Sequence, residues 1–191
     1  MAYGNKSIRA LRGADRIRER PASMLGSNGV EGARQTFIEI IGNALDEINS
    51  GFGDRLEVEY FEDNSVSVRD FGRGVPLGWN EEEKDWNWRL IYNELFAGGK
   101  YGRLQGELSK VKDWDKFKPS DIPYLFSVGL NGVGAAATTY TASYFTVISY
   151  RGSKASRMDF TEGINDYKEL KTYKTDEHSG TYIKWKPDDK V

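Results

Sequence analysis

Residues 32–50 constrain the fold of this chain more than any other part of the sequence. Their apolar side chains recur with the period of an α-helix, and at about 100° per residue they cover more than half of a helical wheel. The apolar arc contains Phe37, Ile38, Ile40, Ile41, Ala44, Leu45 and Ile48. Glu39, Asn43 and Asp46 form a narrow polar wedge on the other side. We therefore expect a long helix that packs against the domain over most of its surface.

The remaining segments predict a sheet that covers this helix. Leu56–Tyr60 and Val66–Asp70 alternate in polarity around a turn, which is typical of an antiparallel hairpin. Further helices are predicted over residues 86–96 and 135–140, and further strands over residues 144–150, 154–160, 167–173 and 181–186. Residues 1–26 are predicted to be a solvated arm with a short helix, and residues 100–128 a long loop. This order predicts an α+β fold with helices on one face of a mixed, mainly antiparallel sheet.

The composition excludes several kinds of active site. The 191 residues contain no cysteine, which excludes disulfides, thiol nucleophiles, iron–sulfur clusters and cysteine–zinc sites. The one histidine, His178, precedes Ser179-Gly180 and is interpreted as a turn residue. The net charge of −2 lacks the basic excess of a dedicated DNA-binding surface. No apolar run approaches the roughly 20 residues of a membrane span. We expect a cytoplasmic protein that uses carboxylates, a lone histidine or a bound cofactor.

The polar wedge of the long helix allows two interpretations. Glu39, Asn43 and Asp46 can form an ordinary stripe that faces solvent. Alternatively, their oxygen atoms can bind Mg²⁺, which usually keeps several waters and shares its coordination with phosphates. In that case Glu39, one turn from Asn43, can act as general base on a water molecule.

Two further motifs suggest a ligand site. Asp70 has the parity of Val66 and Val68, so we expect it on the buried face of its strand. It either begins a turn or accepts hydrogen bonds from an exocyclic amine such as that of adenine. The stretch Gly-Leu-Asn-Gly-Val-Gly at residues 129–134 precedes a predicted helix, whose unsatisfied N–H groups can bind an anion. It matches neither a Walker motif nor a dinucleotide-binding fingerprint.

Together and in this order, the motifs resemble those of the GHKL ATPase superfamily. They are the Glu39-Asn43-Asp46 helix, the Asp70-Phe-Gly-Arg-Gly-Val-Pro turn, Gly98-Gly99-Lys100 and the stretch at residues 129–134. Within the superfamily they are most similar to the bacterial gyrase B and topoisomerase IV B family. Residues 18–27 resemble that family's entry segment, and Gly180–Pro187 resembles its threonine-bearing strand. The resemblance covers nearly the whole chain and implies the Bergerat ATPase fold.

The resemblance implies a role for each matching residue. Glu39 would be the general base, Asn43 the Mg²⁺ ligand, and Asp70 with Thr181 the adenine anchor. Gly74, Val75 and Pro76 match the wall beside the purine, and Asp46, Glu47 and Arg73 match charged positions near the site. Lys100, Gly129, Leu130, Asn131, Gly132, Val133 and Gly134 match the ATP lid and phosphate cradle. Arg151 matches an arginine at the pocket mouth used by aminocoumarin inhibitors, and Tyr3 matches an arm that reaches the partner protomer's nucleotide.

The resemblance also implies a function. It is an ATP-driven dimer clamp for DNA strand passage, with ATP and Mg²⁺ as cofactors, and with DNA and a gyrase A or topoisomerase IV A protein as partners contacted outside this chain. We expect an arm at residues 1–26, a GHKL domain at residues 27–191 with a lid at about residues 98–134, and no transducer domain. The alternatives are another GHKL ATPase of mismatch-repair, chaperone or histidine-kinase type, or an ATP-binding dimerisation module without turnover. Gyrase and topoisomerase IV are not distinguished.

Three positions depart from the family's pattern. Asn131 stands where relatives commonly carry histidine, Leu125 where a lid lysine is common, and Phe71 where a polar residue follows the adenine aspartate. The lid is also longer than usual, so its contacts with phosphate are left open.

Overall fold

The computed structural model describes residues 14–97, 112–113, 116, 132–165 and 170–190. The helices in these ranges are α1 (Ala14–Arg18), α2 (Ala22–Leu25), α3 (Gly29–Asn49), α4 (Asn87–Tyr92) and α5 (Gly134–Thr141). The strands are β1 (Leu56–Tyr60), β2 (Val66–Asp70), β3 (Trp79–Asn80), β4 (Asp85–Trp86), β5 (Ala142–Arg151), β6 (Lys154–Thr161), β7 (Lys171–Lys174) and β8 (Gly180–Pro187). None of these helices combines the length and apolar character that a membrane crossing requires.

A six-stranded sheet organises the fold, in the order β1-β2-β8-β5-β6-β7. Neighbouring strands in this described sheet are antiparallel, and the central pair aligns Phe145 with Trp185 and Val147 with Ile183. Helices α3 and α5 pack against each other and against the central strands. The four paired side chains of β5 and β8 and Ile40 of α3 belong to one hydrophobic core between the helices and the sheet. The predicted α+β class, with helices on one face of the sheet, is confirmed.

Helix α3 presents a different face to the core than its apolar arc predicts. The expectation that α3 packs against the domain over most of its surface is confirmed, since most of its residues from 32 to 50 are buried or partly buried. The exceptions in the apolar arc are Ile38 and Leu45, which are 42% and 37% exposed, whereas Ile40 is 1% exposed. Asp46 in the polar wedge is 1% exposed. Because the wedge turns inward, one edge of the apolar arc is left at the surface.

The sequence prediction is also wrong at the predicted helix of residues 86–96. Trp86 belongs to β4, where it pairs with Trp79 of β3. The two indole rings meet edge to face with centroids 5.7 Å apart, and this pairing excludes Trp86 from the helix. The helix ends at Tyr92, and Phe96 has a φ of 63°, which is incompatible with helix. Of the strand predicted over residues 167–173, residues 171–173 belong to β7 and Leu170 precedes it, whereas residues 167–169 lie outside the described ranges.

The described part of the predicted solvated arm is packed onto the domain. Ile17 is 0% exposed. Arg18 donates from Nη1 to the carbonyl oxygen of Tyr140 at 2.9 Å and forms an ion pair with Asp188. The expectation of a solvated segment is therefore wrong for these residues, and residues 1–13 lie outside the described ranges.

Candidate functional site

Asp70 is the last residue of β2, and its carboxylate is 6% exposed on the face of the sheet that Val68 buries. Its Oδ1 atom accepts hydrogen bonds from the backbone N–H groups of Gly72 at 2.9 Å and Thr181 at 3.1 Å. Burial raises the pKa of this carboxyl, and the bonds from Gly72 and Thr181 act in the opposite direction. The face predicted from parity is thus the observed one. Burial of a carboxylate is costly, so Asp70 is a strong candidate for ligand recognition.

Thr181 connects Asp70 to the turn that follows β2. Its Oγ1 atom accepts a hydrogen bond from the N–H of Val75 at 3.1 Å. The carbonyl oxygen of Val75 in turn accepts a hydrogen bond from Ser149 Oγ at 2.6 Å. Pro76 follows on the surface. The backbone beside Asp70 is therefore held by side chains of β5 and β8, which lie far away in sequence.

Two glycines make this close approach of strands possible. Gly180 has a φ of 143°, and a Cβ atom there would overlap the carbonyl oxygen of Asp70. Gly74 has a φ of 74°, and its Cβ atom would lie 2.5 Å from the carbonyl oxygen of Tyr150. Both positions combine left-handed φ values with no room for a side chain, so only glycine fits.

A second carboxylate lies beside Asp70 at the surface. Glu47 accepts two hydrogen bonds from the Arg73 side chain, Nε to Oε2 at 3.1 Å and Nη2 to Oε1 at 2.8 Å, and one from its backbone N–H to Oε2 at 3.4 Å. The Arg73 guanidinium also lies 3.6 Å above the ring of Phe52. A Cβ atom on Gly72 would lie 3.0 Å from Glu47 Oε2 and 3.1 Å from Asp70 Oδ1, so this glycine separates the two carboxylates.

Arg151 of β5 contacts the same turn from its other side. It donates from Nη1 to the carbonyl oxygen of Gly74 at 2.5 Å. The turn after Asp70 is therefore held by arginines at both of its edges, Arg73 through Glu47 and Arg151 directly.

Glu39 lies against the beginning of α5. A Cβ atom on Gly134 would overlap Glu39 Oε2, so the carboxylate occupies the space beside the first residue of that helix. The N-cap residue of α5, Val133, makes no side-chain cap hydrogen bond, and the first N–H groups of any helix have no partner within the helix. Gln35 donates from Nε2 to Glu39 Oε1 at 2.9 Å. Sequence analysis missed Gln35, although its spacing of four residues from Glu39 places both on one helix face.

The rest of the polar wedge also faces inward. Asn43 is partly buried one turn after Glu39, and Asp46 is buried. The interpretation of the wedge as a solvent-facing stripe is therefore wrong. In the described ranges no group of three or more histidine, aspartate or glutamate residues is arranged to hold a metal ion. A divalent cation bound here would need oxygen ligands from a substrate or from water.

Several residues singled out from the sequence cannot be located. Tyr3, Lys100, Gly129, Leu130 and Asn131 lie outside the described residues, as do Gly98, Gly99 and Leu125. The end of the glycine-rich stretch is described. Gly132 accepts a hydrogen bond from the N–H of Phe96 at 3.0 Å, and Val133 precedes α5.

Comparison with known proteins identifies relatives over the whole chain. The DNA gyrase B protein of Thermus thermophilus is 34% identical over 196 residues, which are 100% of this chain and 27% of the relative. The DNA topoisomerase 4 B protein of Mycoplasma capricolum is 31% identical over 189 residues, 99% of this chain and 26% of the relative. The chain therefore spans about a quarter of the length of these relatives. Models of known protein families give no match.

A solved structure agrees with these sequence relatives. The 43K ATPase domain of Thermus thermophilus gyrase B, in complex with an aminocoumarin, matches with a TM-score of 0.68 and 27% identity. The match covers 93% of this chain and 40% of the other. Sequence and fold thus agree with the resemblance carried by the Glu39 helix, the Asp70 turn and the threonine-bearing strand. The chain belongs to the family of DNA gyrase B and topoisomerase IV B, within the GHKL ATPase superfamily.

Proposed function

We propose that this chain binds ATP and is the ATP-hydrolysing part of a bacterial type IIA DNA topoisomerase. The observation that carries the proposal is the buried Asp70 carboxylate, joined to Gly72 and Thr181 by backbone N–H groups. A carboxylate only accepts hydrogen bonds, and adenine presents its exocyclic amino group as a donor. Guanine presents an oxygen acceptor at the corresponding position, so the same carboxylate disfavours it.

The turn after Asp70 forms the wall beside the purine in this proposal. Gly74, Val75 and Pro76 supply backbone and apolar surface, and Gly74 accepts the Arg151 hydrogen bond that keeps the turn against β5. The Glu47–Arg73 pair lies at the edge of the same turn. Arg151 would also contact an aminocoumarin inhibitor, since the related gyrase B domain binds one.

The phosphate end of the nucleotide would lie between α3 and α5. The uncapped first turn of α5, with Gly132, Val133 and Gly134, offers backbone N–H groups to phosphate oxygens. Lys100 and residues 129–131 would complete this cradle. Asn43 would hold Mg²⁺ together with phosphate oxygens and water, which fits because the wedge offers only hard oxygen ligands. The ion supplies neutralisation of the phosphate charge.

Hydrolysis would depend on Glu39. Its carboxylate would accept a proton from the attacking water as the water oxygen bonds to the terminal phosphorus. The bond from that phosphorus to the bridging oxygen would break, and ADP would leave with the electron pair of that bond. Gln35 would orient this carboxylate through its bond to Oε1. The contact of Glu39 with Gly134 holds the base close to the N–H groups that would bind the phosphates.

The activity of the whole enzyme extends beyond this chain, which spans about a quarter of its relatives. In that enzyme, ATP binding would close a dimer clamp in the cytoplasm, with Tyr3 in an arm that reaches the partner's nucleotide. DNA and a gyrase A or topoisomerase IV A protein would bind through other regions. Relatives of both kinds match the chain, so the proposal covers both.

A titration with nonhydrolysable ATP and GTP analogues in Mg²⁺ tests the binding part of the proposal. We expect saturable binding of the ATP analogue, with the GTP analogue weaker by roughly 5- to 150-fold, the cost of leaving a buried polar group unpaired. Equal affinity for the two, or no saturable binding, would contradict it. ATP-dependent change of plasmid linking number by the assembled enzyme tests the proposed topoisomerase activity.

A further inference from the structure

Arg69 carries a buried charge that the proposed chemistry does not use. It precedes Asp70 in β2, and successive side chains of a strand point to opposite faces, so Arg69 lies on the outer face of the sheet, away from the helices. It is 9% exposed, and its Nη1 atom has no hydrogen-bond partner among the described residues. Burying a guanidinium is costly, which raises the question of what this side chain does.

Two aromatic rings and one carbonyl group compensate for the burial. The guanidinium carbon lies 3.8 Å from the ring centroid of Tyr150 and 5.1 Å from that of Phe71, within the range of cation–π contacts. The Arg55 guanidinium also contacts the Phe71 ring, 3.9 Å from its centroid. Arg69 donates from Nη2 to the carbonyl oxygen of His178 at 2.7 Å. One side chain thus joins β2, β5 and the turn before β8.

The hydrogen bond from Arg69 to His178 lies on the opposite face of the sheet from the hydrogen bond between Thr181 and Asp70. The paired residues of β2 and β8 end at Arg69, so no ladder pair joins Asp70 to the beginning of β8. Two bonds hold the strands together there. The Thr181 N–H bonds to Asp70 on the inner face, and Arg69 bonds to His178 on the outer face.

We propose that Arg69 is a positioning residue for nucleotide recognition, which holds the turn before β8 so that Thr181 stays bonded to Asp70 and Val75. The inference rests on the proposed adenine role of Asp70. The sheet separates Arg69 from that site, so Arg69 acts through Thr181 without touching the nucleotide. Phe71, which replaces the polar residue of the family's pattern, directly follows Asp70 and belongs to the same stack, so its contacts with Arg55 and Arg69 also hold the beginning of the turn.

The variant Arg69→Met tests the inference, because it keeps an unbranched stem and removes both the cation and the donor. We expect the affinity for a nonhydrolysable ATP analogue to fall about 3- to 30-fold, as for residues that act on a site from a distance. The unfolding temperature should change little, because the loss of the bond to His178 is offset by the removal of a guanidinium whose Nη1 atom is buried without a partner. Arg69→Lys keeps a charged donor and should recover part of the affinity.

Arg157 provides a matched control. It lies in the same row across the sheet as Arg69. In that row Arg69 of β2 pairs with Tyr182 of β8, Tyr182 pairs with Ile148 of β5, and Ile148 pairs with Arg157 of β6. Its side chain is 45% exposed and paired with Asp159, so it is not buried in an aromatic stack. Arg157→Met should leave nucleotide affinity unchanged.

Titration of the Asp70 carboxyl by NMR in the nucleotide-free protein separates positioning from general packing. The Thr181 bonds lower the pKa of Asp70 against the larger effect of burial, and the charge of Glu47 on α3 raises it. Tyr92 on α4 stays neutral because burial raises its own pKa. Arg69→Met should therefore raise the pKa of Asp70 further.

A double variant tests whether Arg69 and Thr181 act as a unit. Thr181→Val should lower the nucleotide affinity less in the Arg69→Met background than in the wild type.

The outcomes distinguish this inference from the proposed function. Wild-type affinity in Arg69→Met, beside a loss in Asp70→Asn, would overturn the inference and leave the function intact. An unchanged pKa of Asp70 in folded Arg69→Met would also overturn it. A raised pKa of Asp70 in a protein that binds no nucleotide would support positioning and refute the function. If Arg69→Met does not fold, Arg69→Lys is subjected to the same two measurements, with smaller changes in the same directions expected.

Discussion

Replacing Asp70 by asparagine separates the charge of this side chain from its shape. The carbonyl oxygen of asparagine can keep the bonds that Oδ1 accepts from Gly72 and Thr181 at 2.9 and 3.1 Å. The other terminal atom becomes an NH₂ donor, which would face the adenine amino group, also a donor. Asp70→Asn should therefore lose nucleotide affinity while it keeps the fold.

The size of the loss follows from the charge of the acceptor. A hydrogen bond to a charged group contributes about 1.5–3 kcal/mol. At about 1.4 kcal/mol per factor of ten, this is roughly a 10- to 150-fold weaker affinity. Isothermal titration calorimetry with a nonhydrolysable ATP analogue and Mg²⁺ measures it. Unchanged affinity in a folded variant would refute the adenine role of Asp70.

The same variant makes a prediction about stability and pH. Burial raises the pKa of Asp70 in the folded chain above the ordinary value of 3.8. Between 3.8 and the raised value the unfolded chain is ionised more fully, so the stability of the wild type falls as pH rises through this window. At neutral pH the free energy of unfolding of the wild type is lowered by the whole cost of burying the ionised Asp70 carboxylate. Asp70→Asn should therefore be more stable than wild type at neutral pH, with an advantage that disappears below pH 3.8. Urea denaturation at both pH values measures this, and a variant less stable at neutral pH would contradict the reasoning.

The remaining predictions concern the phosphate end of the site. Glu39→Ala in the full-length enzyme should lose about 10²- to 10⁴-fold in single-turnover hydrolysis while it still binds the ATP analogue, and hydrolysis near the wild-type rate would remove Glu39 from the mechanism. Asn43→Ala should weaken nucleotide binding more in Mg²⁺ than in EDTA, whereas equal losses would indicate a structural role. In Gly134→Ala the new Cβ atom would meet the Glu39 carboxylate and displace it. Its turnover should fall more than its nucleotide affinity, and a change in affinity alone would show that Glu39 had not moved.

Local patterns in the sequence predicted much of the fold. The hairpin of β1 and β2 has the predicted bounds. Strand β6 extends the predicted strand by one residue at one end, and β5 and β8 extend theirs by one or two residues at both ends. Alternation of polarity and turn residues are properties of neighbours in sequence, so they can be read without a structure. For the same reason the parity of Asp70 with Val68 correctly predicted its burial.

Pairings between distant residues limited the prediction of secondary structure. Trp86 belongs to a strand because Trp79 lies opposite it, and this pairing cannot be read from the helical pattern of the residues that follow Trp86. The inward rotation of the α3 wedge likewise depends on α5, which brings Gly134 against Glu39. Helical periodicity identifies the two faces of α3, but the packing of another element decides which of them is covered.

The sequence by itself determined the order of the elements, the polar wedge of α3, the Asp70 turn and the family. Each of these depends on residue types at short spacing or on ordered motifs along the chain. The tertiary structure alone decided the network around Asp70, where Arg69 meets His178 across 109 positions and Thr181 meets Asp70 across 111. Such contacts depend on the register between β2 and β8, and on the left-handed φ of Gly180 that lets β8 approach. That register is set by the packing of the whole sheet, which no local pattern in the sequence specifies.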